Sequence, residues 1–237
     1  MMYPNHAFFT KKLITIYLII LMGFCHNIIY AETIANYIPK NHYLQDFIKT
    51  DLNQDGKTDY LLLTKSMSLE AIEENRFEQV VDRNRRGIIV LLKQDIGYQK
   101  IAENLTLFDS EFEDGGVYFP PDLSINIIQD KITFHYAHGR YGYWFYTFRL
   151  QDNALKLIGF EAHSNRGPDP ISIISVNYLT QKVKYARNIT ESQFNEKWVE
   201  KWKTIPNLPL LDINDIPTIH DDKLFDITHG IDLDFLD

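Results

Sequence analysis

The sequence predicts an α+β fold that is mainly an antiparallel β meander with one or two packed helices. Two observations predict it. Short apolar or β-branched runs recur through the middle of the chain, separated by compact polar connections. In two further segments, apolar residues recur at helical spacing. Because hairpin follows hairpin, the predicted sheet is a meander and not a βαβ sheet.

Residues 1–31 are predicted to be a cleaved signal peptide. Two lysines precede an apolar run at 13–24, and Ala31 offers a small residue for cleavage. The alternatives are an uncleaved membrane anchor and a lipoprotein signal at Cys25. The run is short for a span of ~20 residues, and bulky Phe24 stands where a lipoprotein signal has Gly or Ala. The sequence therefore predicts a periplasmic or secreted protein that is not embedded in the membrane after cleavage.

Charge and cysteine content exclude several classes. The chain has a net charge of −8, and removing Lys11 and Lys12 with the signal peptide makes it more acidic. Nucleic acids and anionic membranes require basic surfaces, so neither is an expected partner. Cys25 is the only cysteine and would leave with the signal peptide. The mature chain would then have no disulfide and would depend on its core and on any bound metal.

The expected strands follow one another through the domain predicted at 32–207. Three compact connections, at 129–131, 151–153 and 178–180, each join two of these runs as a hairpin. The predicted strands are 60–65, 87–93, 98–102, 123–128, 132–137, 143–150, 155–161, 171–177 and 182–186.

Two helices are predicted beside the sheet. One covers 68–82, where the apolar residues near helical spacing are Leu69, Ile72, Phe77 and Val80. The other begins at Thr190-Glu191-Ser192-Gln193, which matches a capping box, and ends before Pro206. Its apolar stripe is Phe194, Trp198 and Trp202. We expect the two tryptophans to pack the helix against the sheet.

The segment 208–237 is strongly acidic. Its residues 212–237 hold eight aspartates and one lysine among Ile, Leu and Phe. It is either an irregular tail packed by its apolar residues or an interaction segment for a basic partner.

An aspartate loop at 51–59 is predicted to bind calcium. Oxygen side chains stand at its first, third, fifth and ninth positions, which are Asp51, Asn53, Asp55 and Asp59. Calcium takes six to eight oxygen ligands at ~2.3–2.6 Å. Gly56 permits the positive-φ turn that folds the loop back, and Lys57 would contribute its backbone carbonyl. The alternative is a metal-free turn, since Asp, Asn and Gly favour turns in any case.

The loop resembles the calcium loop of FG-GAP and VCBS-type repeats, in which DxNxDGxxD leads directly into an apolar strand. Here DLNQDGKTD leads into YLLL. The resemblance implies Asp51, Asn53, Asp55 and Asp59 as ligands, with the Lys57 carbonyl. The EF-hand glutamate at position twelve is replaced by Leu62, so the expected affinity is weak, ~10⁻⁴ to 10⁻³ M. A single copy predicts one blade-like unit and not a whole propeller.

A looser resemblance covers more of the chain. The order DLNQDGKTDYLLL, NRRGIIVLL, the glycine pair at 115–116, WFYTFRLQ and LIGFEA is similar to small exported proteins of Gram-negative bacteria. This resemblance implies export and one domain, and it implies no activity.

Catalytic groups are sparse. His135 and His138 have the spacing of a transition-metal pair, with His163 as a further ligand, but residues three apart on a strand face opposite sides. Glu111, Glu113 and Asp114 could supply paired carboxylates for glycoside hydrolysis, yet nothing distinguishes an acid from a base. No nucleophile elbow or phosphate loop is present in the sequence. The sequence therefore predicts a protein that is not an enzyme.

Aromatic residues around the predicted turn at 138–142 are the strongest binding candidates. On a strand, Trp144, Tyr146 and Phe148 share one face, and Tyr143 and Phe145 share the other. The predicted binding surface is His138, Arg140, Tyr141, Tyr143 and Phe145. The alternative is a sheet buried on both faces, with the second predicted helix covering one of them.

The sequence thus predicts a non-enzymatic periplasmic or secreted interaction protein with a structural calcium loop. Its partner would be another protein, such as a toxin that it neutralises, or an envelope glycan. The alternative function is a carbohydrate-binding module that uses the aromatic face around 141–145, since aromatic rings stack on sugars. A hydrolase is a third possibility.

Overall fold

The computed structural model describes residues 34–113, 120–190, 192–207 and 209–219. The chain divides into two compact units, Met1–Lys40 and Asn41–Asp237. In the first unit, the backbone N–H groups of Tyr37 and Ile38 donate to the carbonyls of Ile34 and Ala35, each at 3.1 Å. The predicted signal peptide lies outside the described residues.

The second unit is built from β-strands. Its described strands are β1 (His42–Thr50), β2 (Asp59–Ser66), β3 (Ile72–Glu74), β4 (Val80–Asp82), β5 (Arg86–Lys93), β6 (Tyr98–Phe108), β7 (Asp122–Ile128), β8 (Lys131–Ala137), β9 (Gly142–Gln151), β10 (Ala154–Arg166), β11 (Asp169–Asn177), β12 (Lys182–Asn188) and β13 (Trp198–Thr204).

These strands form three antiparallel sheets. A four-stranded sheet has the order β1-β2-β5-β6, and a seven-stranded sheet runs in sequence order from β7 to β13. The strands β3 and β4 form a separate hairpin between β2 and β5. The aspartate loop connects β1 to β2 in the first hairpin of the four-stranded sheet.

The two large sheets share one hydrophobic core. The rings of Phe108 on β6, Phe134 on β8 and Phe148 on β9 form an edge-to-face chain, with centroids 5.0 and 5.6 Å apart. All three side chains are fully buried, and burying a Phe side chain contributes roughly 1.5–3 kcal/mol. A smaller cluster of Phe160, Val176, Val183 and Ile205 continues the core beneath β10 to β12.

The described C-terminal residues, 209–219, lie against both sheets. Leu157 on β10 donates its backbone N–H to Leu211 at 2.9 Å, and Ile219 donates to Leu107 on β6 at 2.9 Å. The Asn104 side chain donates to the carbonyls of Ile213 and Ile216 at 2.8 and 2.7 Å. Three isoleucines of this segment are buried in the shared core: Ile213, Ile216 and Ile219. The remaining acidic residues, 220–237, lie outside the described part.

The predicted α+β class is wrong, because the fold is nearly all β-sheet. Among the described residues of the second unit, helical structure is limited to the 3₁₀ turns Leu69–Ala71, Gly139–Tyr141 and Ile213–Asp215. No helix in the described ranges is long and apolar enough to cross a membrane.

The predicted helix at 68–82 is instead a 3₁₀ turn followed by the β3–β4 hairpin. Its reversal is closed by Asn75, whose side-chain oxygen accepts from the backbone N–H groups of Phe77 and Gln79 at 2.9 and 3.1 Å. Such local side-chain bonds compete with a helix. The apolar stripe also has nothing to pack against, since Leu69 and Phe77 are exposed.

The predicted helix from Thr190 is also wrong, because β13 replaces it as the edge strand of the large sheet. Buried Asn188 organises the preceding loop, where its oxygen accepts from Thr190 and Lys197 N–H at 3.3 and 3.1 Å. The spacing of Trp198 and Trp202 is an even number of residues, so it fits one face of a strand as well as one face of a helix. The tryptophans do not pack a helix on the sheet, and Trp202 is 60% exposed.

Candidate functional site

The aspartate loop is folded by its own side chains. Both carboxylate oxygens of Asp51 accept backbone N–H groups, from Asp55 and Gly56, each at 2.9 Å. Asp55 accepts in turn from the N–H of Lys57 at 2.9 Å. Gly56 has a φ of +81°, as the loop pattern requires. The Lys57 ammonium turns to Asp95 at 2.8 Å, and that contact raises the pKa of Lys57.

Asp59 is the buried member of the loop. Its side chain has no exposed surface, and its two oxygens accept from the backbone N–H groups of Leu52 and Lys93 at 2.8 and 2.7 Å. It therefore joins the loop to the end of β5. No cationic side chain of the described residues forms an ion pair with it. A buried carboxylate without a cation is stabilised only by these hydrogen bonds.

The donor set has the chemistry that calcium prefers, with three carboxylates, one amide and one available carbonyl, all oxygen. Each carboxylate oxygen has two acceptor positions, so a backbone hydrogen bond leaves one free for a cation. Among the described residues, however, no three His, Cys, Asp or Glu side chains are gathered in a ready-made metal group. The predicted ligands Asp51, Asn53, Asp55 and Asp59 lie in one loop, but the carboxylates among them do not form a ready-made metal group. Calcium binding stays a prediction.

The outer face of the seven-stranded sheet carries two rows of side chains. Residues that pair across antiparallel strands point to the same side. One row is Ser124, His135, Phe145, Glu161, Ser175, Lys184 and Trp202. The next row is Asp122, Ala137, Tyr143, His163, Ile173, Ala186 and Glu200. We call these two rows the outer rows.

Aromatic and imidazole rings meet at the centre of the outer rows. Tyr143 stacks on His163 with centroids 4.2 Å apart and planes 17° apart. On its other side His135 lies 5.4 Å away, and Phe145 lies 6.4 Å from that imidazole. The His163 Nε2 atom is 2.7 Å from a Glu161 oxygen. Aromatic faces, a carboxylate and imidazole nitrogens are thus adjacent on one surface.

The Tyr143 ring, at the centre of the outer rows, is half-buried. Burial raises the pKa of the Tyr143 phenol, and the Glu161 carboxylate raises it further. Tyr143 therefore stays protonated at neutral pH and can donate a hydrogen bond. The side chains of His163 and Glu161 are 20% and 31% exposed, so each presents atoms to solvent.

A cleft of about 440 Å³ opens at one end of the outer rows. Asp122 and Ala137 belong to both the rows and the cleft, and the other lining residues are Glu111, Pro120, His138, Gly139, Arg140 and Tyr141. The His138 ring contacts Tyr141 at 5.2 Å, and its Nε2 atom is buried without a hydrogen-bond partner among the residues that the structure describes.

The predicted binding surface is therefore divided in two. His138, Arg140 and Tyr141 line the cleft, whereas Tyr143 and Phe145 lie on the outer rows. Trp144, Tyr146 and Phe148 turn inward and pack against the core, as the strand alternation predicts. His163, Glu161 and Trp202 also lie on the outer rows, and the predicted binding surface does not include them. Strand parity, combined with the hairpin lengths that set the register, is the signal that places Glu161 beside Phe145 and His163 beside Tyr143, with Trp202 at the far end of the Phe145 row.

The predicted acidic pair for hydrolysis is occupied by ion pairs. Glu111 contacts Lys65 at 3.1 Å and Arg86 at 3.7 Å, and it also accepts from Gln45. Glu113 accepts from the Ser110 hydroxyl at 2.6 Å and contacts Arg83 at 3.4 Å. Asp114 lies outside the described residues. Glu111 and Glu113 thus hold their loop to the sheet.

The histidine spacing at 135–138 does not create a shared site. His135 belongs to the outer rows and lies 3.4 Å from the Ser124 hydroxyl. His138 lies in the cleft, where its ring is 6.2 Å from Trp144. The two imidazoles serve different surfaces.

Comparison with known proteins finds no family model that matches this chain, and no match among the curated proteins or the solved structures.

Proposed function

We propose that this chain is an exported, non-enzymatic interaction protein that binds another protein through the outer rows of its seven-stranded sheet. The observation that carries the proposal is the open aromatic face. In the described chain no helix lies over it, and Tyr143, Phe145 and His163 remain partly exposed. Tyr, Trp and Arg dominate protein interface hot spots, and Trp202 adds a further exposed ring to the row.

The calcium loop has a structural role in this proposal. A mature chain without cysteine has no disulfide to hold its edges. The loop closes the β1–β2 hairpin at the edge of the four-stranded sheet, and Asp59 already joins that hairpin to β5. A cation that adds ligands from Asp51, Asn53 and Asp55 would hold the hairpin further and reduce the repulsion between the Asp51 and Asp55 carboxylates.

The test is capture of a protein partner by full-length protein in calcium-containing extract from the organism's cell envelope. We expect the double variant Tyr143→Ser/Phe145→Ser to lose the partner. The matched control is Ile128→Ser, an exposed apolar residue on the same sheet face but at its margin. Recovery of no partner by the wild-type protein, or equal recovery by both variants, contradicts the proposal.

A second candidate function is carbohydrate binding on the same face. It is favoured by the proximity of Tyr143 and Phe145 to the hydrogen-bonding groups of Glu161 and His163, because sugar sites combine an apolar face with a few convergent polar groups. A glycan array separates the two functions. Binding that disappears in Tyr143→Ala with an intact fold supports the sugar, and an array with no binding excludes it.

A further inference from the structure

We propose that the insert at 67–83, here called the finger, is a docking element for a protein partner with a positively charged contact surface. The finger comprises the 3₁₀ turn Leu69–Ala71 and the β3–β4 hairpin. The proposal rests on the proposed function as an interaction protein. It adds a second surface and names the chemistry of the partner.

The finger exposes a concentration of apolar side chains. Five large ones are exposed within fourteen consecutive residues: Met67, Leu69, Ile72, Phe77 and Val80. Leu69 is 87% exposed and Val80 is 75% exposed. Ile72 and Val80 belong to diagonal positions on the same hairpin face, since Ile72 pairs with Asp82 and Glu74 with Val80. Exposed apolar groups in one place are typical of interaction sites.

The base of the finger is fixed by a polar network. Asn84 is 3% exposed, and its side-chain oxygen accepts from the Ser66 hydroxyl at 2.5 Å and the Ser68 N–H at 2.8 Å. The Lys65 ammonium, itself almost fully buried, contacts Asp82 at 3.1 Å. The N–H of Arg83 donates to the Ala71 carbonyl at 2.8 Å. The insert is therefore anchored where it leaves the sheet.

The tip is ordered as well. Asn75 accepts from two backbone N–H groups of the reversal, and its own N–H donates to the Gln79 carbonyl at 2.9 Å. An isolated two-stranded hairpin is marginally stable in water, so these bonds matter. An element that is ordered before binding loses less conformational entropy when it binds. Apolar side chains on such a support are suited to docking.

The charge of the finger indicates the partner. The segment contains five acidic residues and two basic ones. Arg83 is paired with Glu73 at 2.8 Å, whereas Glu70, Glu74 and Glu78 are exposed and form no ion pair with any described residue. Complementary charge steers encounter and suppresses wrong partners. A basic protein surface complements this finger, while a second acidic copy of the chain or an anionic membrane would be repelled.

Site-specific photo-cross-linking in living cells tests the proposal. Benzoylphenylalanine is placed in the full chain at Leu69 or Val80 on the finger, at Phe145 on the outer rows, or at Ile96. Ile96 is the control because it is 95% exposed and lies in the β5–β6 turn, at the opposite end of β5 from the finger. We expect an adduct with a basic protein from the finger positions and none from Ile96.

Charge reversal supplies the second readout. Glu74→Lys/Glu78→Lys should reduce the finger adduct at least about tenfold, which corresponds to ~1.4 kcal/mol. Asp215→Lys, an exposed acid on another element, should leave it unchanged. An adduct that ignores the charge reversal, or that joins an acidic protein, lipid or a second copy of this chain, overturns the proposal. An adduct from Phe145 alone overturns the proposal that the finger is a docking element and leaves the proposed function intact. If no position gives an adduct, both the finger proposal and the proposed function are overturned.

Discussion

Two buried charged residues decide much of the local stability, and they do so through different partners. Asp59 is held by backbone N–H groups, which are fixed dipoles. Lys65 is held by the side-chain carboxylates of Asp82 and Glu111. Asp59 is thus stabilised by groups that carry no net charge, and Lys65 by groups of opposite charge.

At Asp59, substitution by Asn should destabilise the fold by about 2–4 kcal/mol. The amide keeps one acceptor but turns an N–H₂ group toward a buried backbone N–H, and hydrogen bonds to charged groups contribute ~1.5–3 kcal/mol each. Urea unfolding in EGTA measures the effect without any metal. The exposed control Asp95→Asn should change stability by less than ~0.5 kcal/mol. An equal effect of the two substitutions would refute the buried role of Asp59.

At Asp82, we predict a specific pH dependence. Burial alone would raise its pKa, but hydrogen bonds from Asn84 and the Lys65 ammonium outweigh burial and lower the pKa. A carboxyl whose folded pKa is depressed stabilises the fold above its unfolded pKa of about 3.9 and loses that contribution as pH falls through the folded pKa. Asp82→Asn should therefore flatten the acid side of the stability curve below about pH 5. An unchanged slope in denaturant titrations would contradict this account.

In the same network, Lys65 makes the stability depend on pH on the alkaline side. Burial alone would lower its pKa, but the contacts with Asp82 and Glu111 prevail and raise it. A lysine with a raised folded pKa stabilises the fold below its unfolded pKa of about 10.4, and the contribution is lost as pH rises through the folded pKa. At neutral pH both charges of the pair are therefore present.

Among the elements, strand β9 depends on a glycine at its first residue. Gly142 has a φ of +113°, and a Cβ there would lie 1.9 Å from the His163 carbonyl oxygen. Gly142→Ala should destabilise the fold by more than about 3 kcal/mol and disturb the Tyr143–His163 stack. Gly139→Ala is the matched control, because its φ is +53° and no atom lies within 4 Å of the added Cβ. It should cost only about 1–2 kcal/mol. Similar thermal melting of both variants would contradict the close approach of β9 and β10.

Elements were predictable where the pattern was local. The hairpins at 129–131, 151–153 and 178–180 follow from compact connections between apolar runs, and the structure has each of them. The strands β3, β4 and β13, which replace the two predicted helices, were not predictable in this way. The apolar spacing fits a helix both from Leu69 to Val80 and from Trp198 to Trp202. These segments are strands because a helix there would have no surface to pack against, and because the side chains of Asn75 and Asn188 bond to the nearby backbone.

For the whole molecule, the site was only partly accessible from sequence. Alternation along β9 places Tyr143 and Phe145 on one face of the sheet and Trp144 on the other. The meeting of Phe145 with Glu161, and of Tyr143 with His163, depends on the register of β9 and β10, which shifts at a bulge between Leu157 and Gly159. A one-residue shift changes which side chains share a face, so the full rows required the structure.

The central claim is an interaction protein whose four-stranded sheet is held at its β1 edge by calcium. Thermal unfolding of the full chain in 10 mM calcium and in EGTA tests it most directly. With an affinity of ~10⁻⁴ to 10⁻³ M, binding to the folded state should add roughly 1.4–2.7 kcal/mol. That corresponds to a rise in melting temperature of about 3–10 °C.

Three controls belong to this measurement. Magnesium at the same concentration should have little effect, because the flexible oxygen loop suits calcium better than the smaller ion. Asp55→Ala should abolish the calcium effect, and Asp95→Ala, next to the loop but outside the ligand set, should retain it. A melting temperature that is the same in calcium and in EGTA would contradict the claim.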